Sequence, residues 1–160
     1  PIGISRNNAL GLVQIRPYMP EDLKALQWVA LGSNVFNAMI PVYPGVDKMP
    51  EYLSKAYVKP TTENFYWVNR IIGALADAHF YENQSNIERY QLSVDRKLYE
   101  MIRKFDQEFQ EKEPEDKKAF FEAANQEISD FIQEKTTELL DKVLFTSSCL
   151  MRNGFSRSDA

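Results

Sequence analysis

The length, composition and charge of this chain restrict what kind of protein it is. Its 160 residues are enough for one domain with a buried core, and 44% hydrophobic with 26% charged residues is ordinary for a globular protein. A net charge of -4 argues against a nucleic-acid partner, and no apolar run is long enough to predict a membrane span. The single cysteine excludes an internal disulfide, which suits a reducing compartment, so we expect a cytoplasmic protein.

The first third of the sequence predicts two short antiparallel strands. Residues 9–17 form a short apolar run, partly β-branched and closed by Pro17, which predicts a half-buried strand. Residues 26–33 are apolar on both faces, which predicts a strand covered on both sides. Because the connection between the two runs is short, we expect them to be antiparallel neighbours in one sheet.

The next stretch, residues 32–45, is the least regular part of the sequence. It mixes apolar residues with Asn34 and Asn37, while Pro41 and Pro44 prevent a continuous regular element. Such a pattern fits the wall of a binding cleft as well as it fits a packed irregular connection. The residues alone leave both interpretations open.

Three long helices are predicted after a loop that carries one helical turn at 50–56. Residues 64–81 are the densest apolar run, with apolar positions at steps of three and four, and predict a central buried helix capped by a threonine. A capping box at 85–88 predicts the start of the second helix, whose apolar residues between Ile87 and Phe109 should form a stripe down one side. Residues 113–116 separate it from a third, which should end near 153–154 and pack antiparallel to the second.

The predicted fold class is therefore α+β, with short antiparallel strands at the N-terminus packed on three long helices. We expect a single unit with a strand-and-loop part at 1–58 and a helical part at 59–160.

Residues suited to catalysis or metal binding are few. His79 is the only histidine, which excludes a multi-histidine metal site, and both His79 and Cys149 are interpreted as structural residues. The carboxylates of 88–142 are expected on solvated helix faces. The sequence also lacks a P-loop, a dinucleotide-binding fingerprint and zinc-ligand spacing.

Three stretches together resemble a known family. PIGISRNNALGLVQIRP at 1–17, QWVALGSNVFNAMIPVYPGV at 27–46 and NFYWVNRIIGALADAHF at 64–80 are similar, in this order, to the C-terminal part of the bacterial cysteine dipeptidases. These enzymes are N-terminal-nucleophile hydrolases, and the likeness covers about residues 1–110.

The resemblance implies an α-β-β-α sandwich with a cysteine at the mature N-terminus. The thiolate attacks the peptide carbonyl of a dipeptide, and the α-amino group of the same residue acts as the base. Neither a metal nor an organic cofactor is needed in this mechanism.

The chain departs from the family pattern at its first residue, which is Pro1 in place of the nucleophilic cysteine. We therefore expect a C-terminal fragment that is inactive alone and requires the N-terminal part of the same protein. Exposed strand edges in such a fragment favour self-association, so a homo-oligomer is expected.

The resemblance also suggests which residues this part contributes to the complete site. Arg6 and Asn7, just ahead of the first strand, are the candidate catalytic residues, because an arginine suits contact with a thiolate or a substrate carboxylate. Asn34 and Asn37 are candidate amide donors to the dipeptide substrate. The alternative to a peptidase fragment is a helical protein-interaction module without enzymatic activity.

Overall fold

The fold is seen in a computed structural model that describes residue 4 and residues 7–152. Its strands are β1 (Ala9–Ile15), β2 (Ala25–Leu31) and β3 (Ile40–Val42), and its helices are α1 (Glu51–Ser54), α2 (Phe65–Ala78), α3 (Phe80–Lys112) and α4 (Lys117–Cys149). A 3-10 turn, Glu21–Leu23, connects β1 to β2. The predicted α+β class is confirmed, with a three-stranded antiparallel sheet ahead of the long helices.

The sheet has the order β1-β2-β3, with both pairings antiparallel. Trp28 in the central strand faces Leu12 of β1 on one side and Pro41 of β3 on the other. In the irregular stretch at 32–45 the structure has β3, a strand of three residues that includes Pro41, which fits the expectation that no continuous regular element forms there. Proline has no N–H to donate to a sheet ladder but is tolerated in an edge strand, and β3 pairs with β2 alone among the described strands.

The burial of β1 and β2 differs from the prediction. In β1, which was expected to be half-buried, Val13 and Ile15 are each 65% exposed and Leu12 is 54% exposed. In β2, which was expected to be covered on both sides, one face is buried and the other only partly covered. An apolar pattern shows that a strand could be buried. Whether it is buried depends on which other segments of the polypeptide pack against it.

The cap of α2 is a different residue from the one that the sequence suggested. The N-cap is Asn64, whose Oδ1 accepts a hydrogen bond from the Trp67 N–H at 2.9 Å. The predicted threonine cap is therefore wrong. The cap is the residue at which the helical backbone begins, and an asparagine at that position caps the helix as well as a threonine would.

The boundary between the first two long helices also differs from its predicted position. It lies at His79, and the capping-box residues Ser85 and Glu88 lie inside α3. The same Ser-x-x-Glu spacing fits the surface of a continuing helix, so the pattern did not mark an end. Tyr81 is 87% exposed, so the last turn predicted for the central helix is not buried.

The core lies between the sheet and the helices and along the α3–α4 hairpin. Helices α3 and α4 pack on each other as predicted, and α2 packs against α4 and β2. The apolar stripe predicted for the second helix is buried: it comprises Ile87, Tyr90, Val94, Leu98, Met101, Phe105 and Phe109. None of the helices in the described part of the chain combines the length and apolar character of a membrane span.

Candidate functional site

The two candidate catalytic residues precede β1. Arg6 lies outside the described residues. Asn7 is half-buried, and its backbone N–H donates a hydrogen bond to the Ile4 carbonyl at 3.0 Å. The catalytic role of Arg6 and Asn7 stays a prediction.

Asn34 lies beside this segment. Its Nδ2 donates to the same Ile4 carbonyl at 3.3 Å, and the N–H of Gly32 donates to the Asn8 carbonyl at 2.8 Å. The fold therefore brings Asn7 and Asn34 to one point, although 27 positions separate them in the sequence.

Asn37 is buried in the turn that follows. Its Nδ2 donates to the Leu31 carbonyl at 2.6 Å. Gln91 of α3 holds the turn from the other side, since its Nε2 donates to the carbonyls of Val35 and Asn37, each at 3.0 Å. Within the described part of the chain, Oδ1 of Asn37 accepts no hydrogen bond.

Two glycines allow this turn to sit directly on α2. Gly32 has a φ of +82°, and a Cβ there would lie 2.8 Å from the Tyr66 carbonyl oxygen. A Cβ on Gly73 of α2 would lie 2.5 Å from Oγ of Ser33. Both glycines therefore let residues 32–37, here called the asparagine turn, lie directly against the helix.

An open groove of about 870 Å³, here called the sheet–helix groove, runs between the β1–β2 edge and α3. Leu12 and Trp28 lie on its sheet side, and Leu92 and Tyr99 lie on its helix side. The rings of Trp28 and Tyr99 are 5.4 Å apart, and the Trp28 Nε1–H donates to Oε1 of Gln14 at 2.9 Å. Asn37 also lines the groove, so one predicted site residue borders this cavity.

The charge in the sheet–helix groove has one sign. Glu88 and Asp95 of α3 are the charged residues that line it, and the described lining contains no lysine or arginine. Burial raises the pKa of the Asp95 carboxyl above its ordinary value. The groove can therefore accept hydrogen bonds and positive charge, but it offers little to an anion.

A buried ion pair joins the end of β1 to α3. Arg16 donates through Nη1 and Nη2 to the Asp106 carboxylate and through Nη2 to the Leu23 carbonyl at 2.6 Å. The Tyr43 hydroxyl lies 2.9 Å from Oδ1 of Asp106 as a further donor. The statement that the carboxylates of 88–142 are solvated is wrong for Asp106, which is 7% exposed.

Sequence reasoning missed this pair although a signal was present. Asp106 lies between Phe105 and Phe109 on the apolar side of the second helix, where a charge needs a partner. The position of Asp106 indicates that it is buried. Its partner could not be predicted, because Arg16 lies 90 positions away in the sequence.

The remaining residues considered from the sequence, His79 and Cys149, form no recognisable catalytic or metal-binding group among the described residues. His79 joins α2 to α3. Cys149 is a free, exposed thiol at the end of α4, so its interpretation as a packing residue is wrong. Among residues 7–152, no three His, Cys, Asp or Glu side chains cluster in a way that could hold a metal ion.

Comparison with known proteins links the chain to peptidases. The model of peptidase family C69 matches residues 1–93, which is more than half of the chain. A probable dipeptidase A of Streptococcus pyogenes is 38% identical over 99% of this chain. A dipeptidase of Bifidobacterium longum is 35% identical over 99% of the chain, and dipeptidase A of Lactobacillus helveticus is 32% identical over 94%.

These alignments cover nearly all of this chain but only part of each relative. The alignments cover 33%, 37% and 32% of the three relatives, so the chain spans about a third of their length. The resemblance predicted from the three sequence stretches is confirmed by both the family match and the relatives. The chain belongs to peptidase family C69.

Proposed function

We propose that this chain is the C-terminal part of a cysteine dipeptidase of the N-terminal-nucleophile type. The observation that carries the proposal is the 38% identity to a probable dipeptidase over 99% of the chain. Two further features support it: the asparagine turn beside the segment that leads into β1, and a first strand that leaves apolar side chains exposed.

The proposed reaction is thiol-dependent hydrolysis of a dipeptide. A cysteine thiolate at the mature N-terminus of the complete protein attacks the peptide carbonyl, and its α-amine takes up the thiol proton. The leaving amine departs as an acyl-enzyme forms, and water then releases the acid. In this scheme the nucleophile belongs to the N-terminal part of the protein, in a cytoplasmic enzyme that needs no metal or organic cofactor.

Residues of this chain would complete the site. Arg6 orients a carboxylate or the thiolate, Asn7 lies next to it, and the amides of Asn34 and Asn37 contact the dipeptide. The three-stranded sheet contributes to an α-β-β-α sandwich together with the N-terminal part. Residues 1–160 alone are then inactive, because the N-terminal cysteine that acts as the nucleophile is not among them.

The proposal is tested by assaying the full-length gene product for hydrolysis of a panel of dipeptides. We expect turnover by the full-length protein and none by residues 1–160. The variant Arg6→Ala should lower kcat/KM about 100-fold, whereas Arg89→Ala, which changes an exposed arginine of α3, should leave it unchanged. Near-normal rates in Arg6→Ala would remove Arg6 from the site.

The alternative is a helical interaction module without enzymatic activity. Phe145 of α4 is 71% exposed and Leu92 of α3 is 73% exposed, which suits contact with another protein. A full-length protein that hydrolyses none of the dipeptides would favour this alternative over the peptidase.

A further inference from the structure

Gln91 of α3 lies where the asparagine turn meets the helical part of the protein. Its Nε2 donates hydrogen bonds to the carbonyls of Val35 and Asn37, each at 3.0 Å. In the part of the chain that the structure describes, these two carbonyls accept from Gln91 alone. One carboxamide therefore holds the backbone of the turn on both sides of Phe36.

The neighbourhood of these carbonyls explains why the donor matters. Phe36 is buried, and its ring packs edge-on against Phe80 with the centroids 6.3 Å apart. Asn37 is 4% exposed, so water has little access to this end of the turn. Because a buried carbonyl without a donor is unfavourable, loss of the Gln91 amide should shift the turn until the Asn37 carbonyl reaches water.

A shift of the turn would be passed on to the segment ahead of β1. Asn34 directly precedes Val35, and its Nδ2 donates to the Ile4 carbonyl at 3.3 Å. The same carbonyl accepts the backbone N–H of Asn7 at 3.0 Å. Three hydrogen bonds and one peptide link thus connect Gln91 to the segment that contains the candidate catalytic residues.

We propose that Gln91 is a positioning residue of the dipeptidase site. Its carboxamide holds the asparagine turn so that Asn34 stays against the segment that carries Arg6 and Asn7. This inference rests on the proposed function, because it takes that segment to be part of the site. Gln91 itself makes no contact with the substrate, and its role requires a hydrogen-bond donor at this position.

Three substitutions in the full-length protein test the need for a donor. Gln91→Met has a similar length without a donor, and Gln91→Glu has the same shape with an acceptor in place of the amide, so each should lower kcat/KM about tenfold. Gln91→Lys carries a donor again and should recover part of the loss. A normal rate in Gln91→Met, or a lysine variant no faster than Gln91→Met, would overturn the proposal.

A matched control separates this position from glutamines in general. Gln126 is an exposed glutamine of α4 whose Nε2 donates to Asp130 at 2.7 Å, and Gln126→Met should leave kcat/KM unchanged. Circular dichroism checks that each variant is folded. An equal loss of activity in Gln126→Met and Gln91→Met would overturn the assignment to the turn.

A double variant tests whether Gln91 acts through Asn34. Asn34→Ala should lower kcat/KM by itself. Addition of Gln91→Met to it should then cause less than about a twofold further loss, because the contact that Gln91 supports is already absent. A further tenfold loss would show that the two side chains act independently and would overturn the proposal.

Hydrogen–deuterium exchange followed by mass spectrometry gives a readout that needs no turnover. Gln91→Met should speed exchange at least threefold in residues 33–37 and at Asn7, whereas Gln126→Met should not. Unaltered exchange in Gln91→Met overturns the inference even when the protein hydrolyses dipeptides. Faster exchange in Gln91→Met, with no dipeptide turnover by the unsubstituted full-length protein, rejects the peptidase but keeps Gln91 as the residue that fixes the turn.

Discussion

Asp106 of α3 holds Arg16, the residue that follows β1, in an ion pair whose side chains are 10% and 6% exposed. The same carboxylate lies 2.9 Å from the Tyr43 hydroxyl, and Tyr43 stacks on Phe121 of α4 with ring centroids 5.0 Å apart. One carboxylate therefore connects the end of β1, the residue after β3 and two helices. This network positions the sheet on the helical part.

Removal of the carboxylate should destabilise the fold strongly. In Asp106→Ala the Arg16 guanidinium is left buried without its partner, which costs about 3–5 kcal/mol of the free energy of unfolding. Urea denaturation followed by circular dichroism measures the change. The double variant Arg16→Met with Asp106→Leu removes both charges and should recover most of the loss. A loss below 1 kcal/mol in Asp106→Ala would show that the pair contributes little.

The contact between α2 and the asparagine turn predicts that alanine destabilises the protein at Gly73 but not at Gly11, which lies outside this contact. Gly73→Ala places a Cβ against Ser33 and should lower the free energy of unfolding by about 1–3 kcal/mol, although alanine favours a helix. Gly11→Ala in β1 has open space within 4 Å and should change it by less than about 0.5 kcal/mol.

A second substitution checks the cause of this difference. Ser33→Gly removes the atoms that the new Cβ would meet, so it should restore part of the stability of Gly73→Ala. Equal effects of Gly73→Ala and Gly11→Ala in chemical denaturation would contradict the close approach.

Three buried tyrosines make the fold sensitive to alkali. Burial raises the pKa of Tyr43 and Tyr52, and it raises the pKa of Tyr90 to about 12. Each phenol ionises near pH 10 in the unfolded chain but later in the folded chain. The stability from each is therefore complete below about pH 10 and is lost as the pH rises toward the folded pKa, at up to about 1.4 kcal/mol per pH unit.

Urea midpoints between pH 8 and pH 11 measure this slope. Tyr90→Phe should make the decline above pH 10 shallower because it removes one of the groups that titrate. Tyr81→Phe, at a position 87% exposed, should leave the slope as in the unchanged protein. Equal slopes in all three proteins would refute the role of Tyr90.

The exposed face of β1 predicts self-association of residues 1–160. Val13 and Ile15 point to one side of the strand and are each 65% exposed, and the outer edge of β1 pairs with no described strand. Size-exclusion chromatography over a range of concentrations should show a shift to larger species. Val13→Lys with Ile15→Lys should reduce it, while Val58→Lys, at a loop position 98% exposed, should not. A monomer at every concentration would contradict the prediction.

The sequence by itself determined the elements that depend on local pattern. The strand–strand–helix–helix–helix order, the buried stripe of α3 and the antiparallel pair α3–α4 follow from periodicity and from short connections, which act over a few residues. The family was also accessible, since the three stretches that carry the resemblance are contiguous runs within the part that the family model matches.

Only the tertiary structure decided which residues meet across long separations. Asp106 finds Arg16 across 90 residues, and Gln91 of α3 holds the turn of Asn37 across 54. The sheet–helix groove needs β1, β2 and α3 at once, and no local pattern encodes their packing. Burial of β1 was misjudged for the same reason: an apolar strand is buried only where other polypeptide covers it, and periodicity carries no information about that cover.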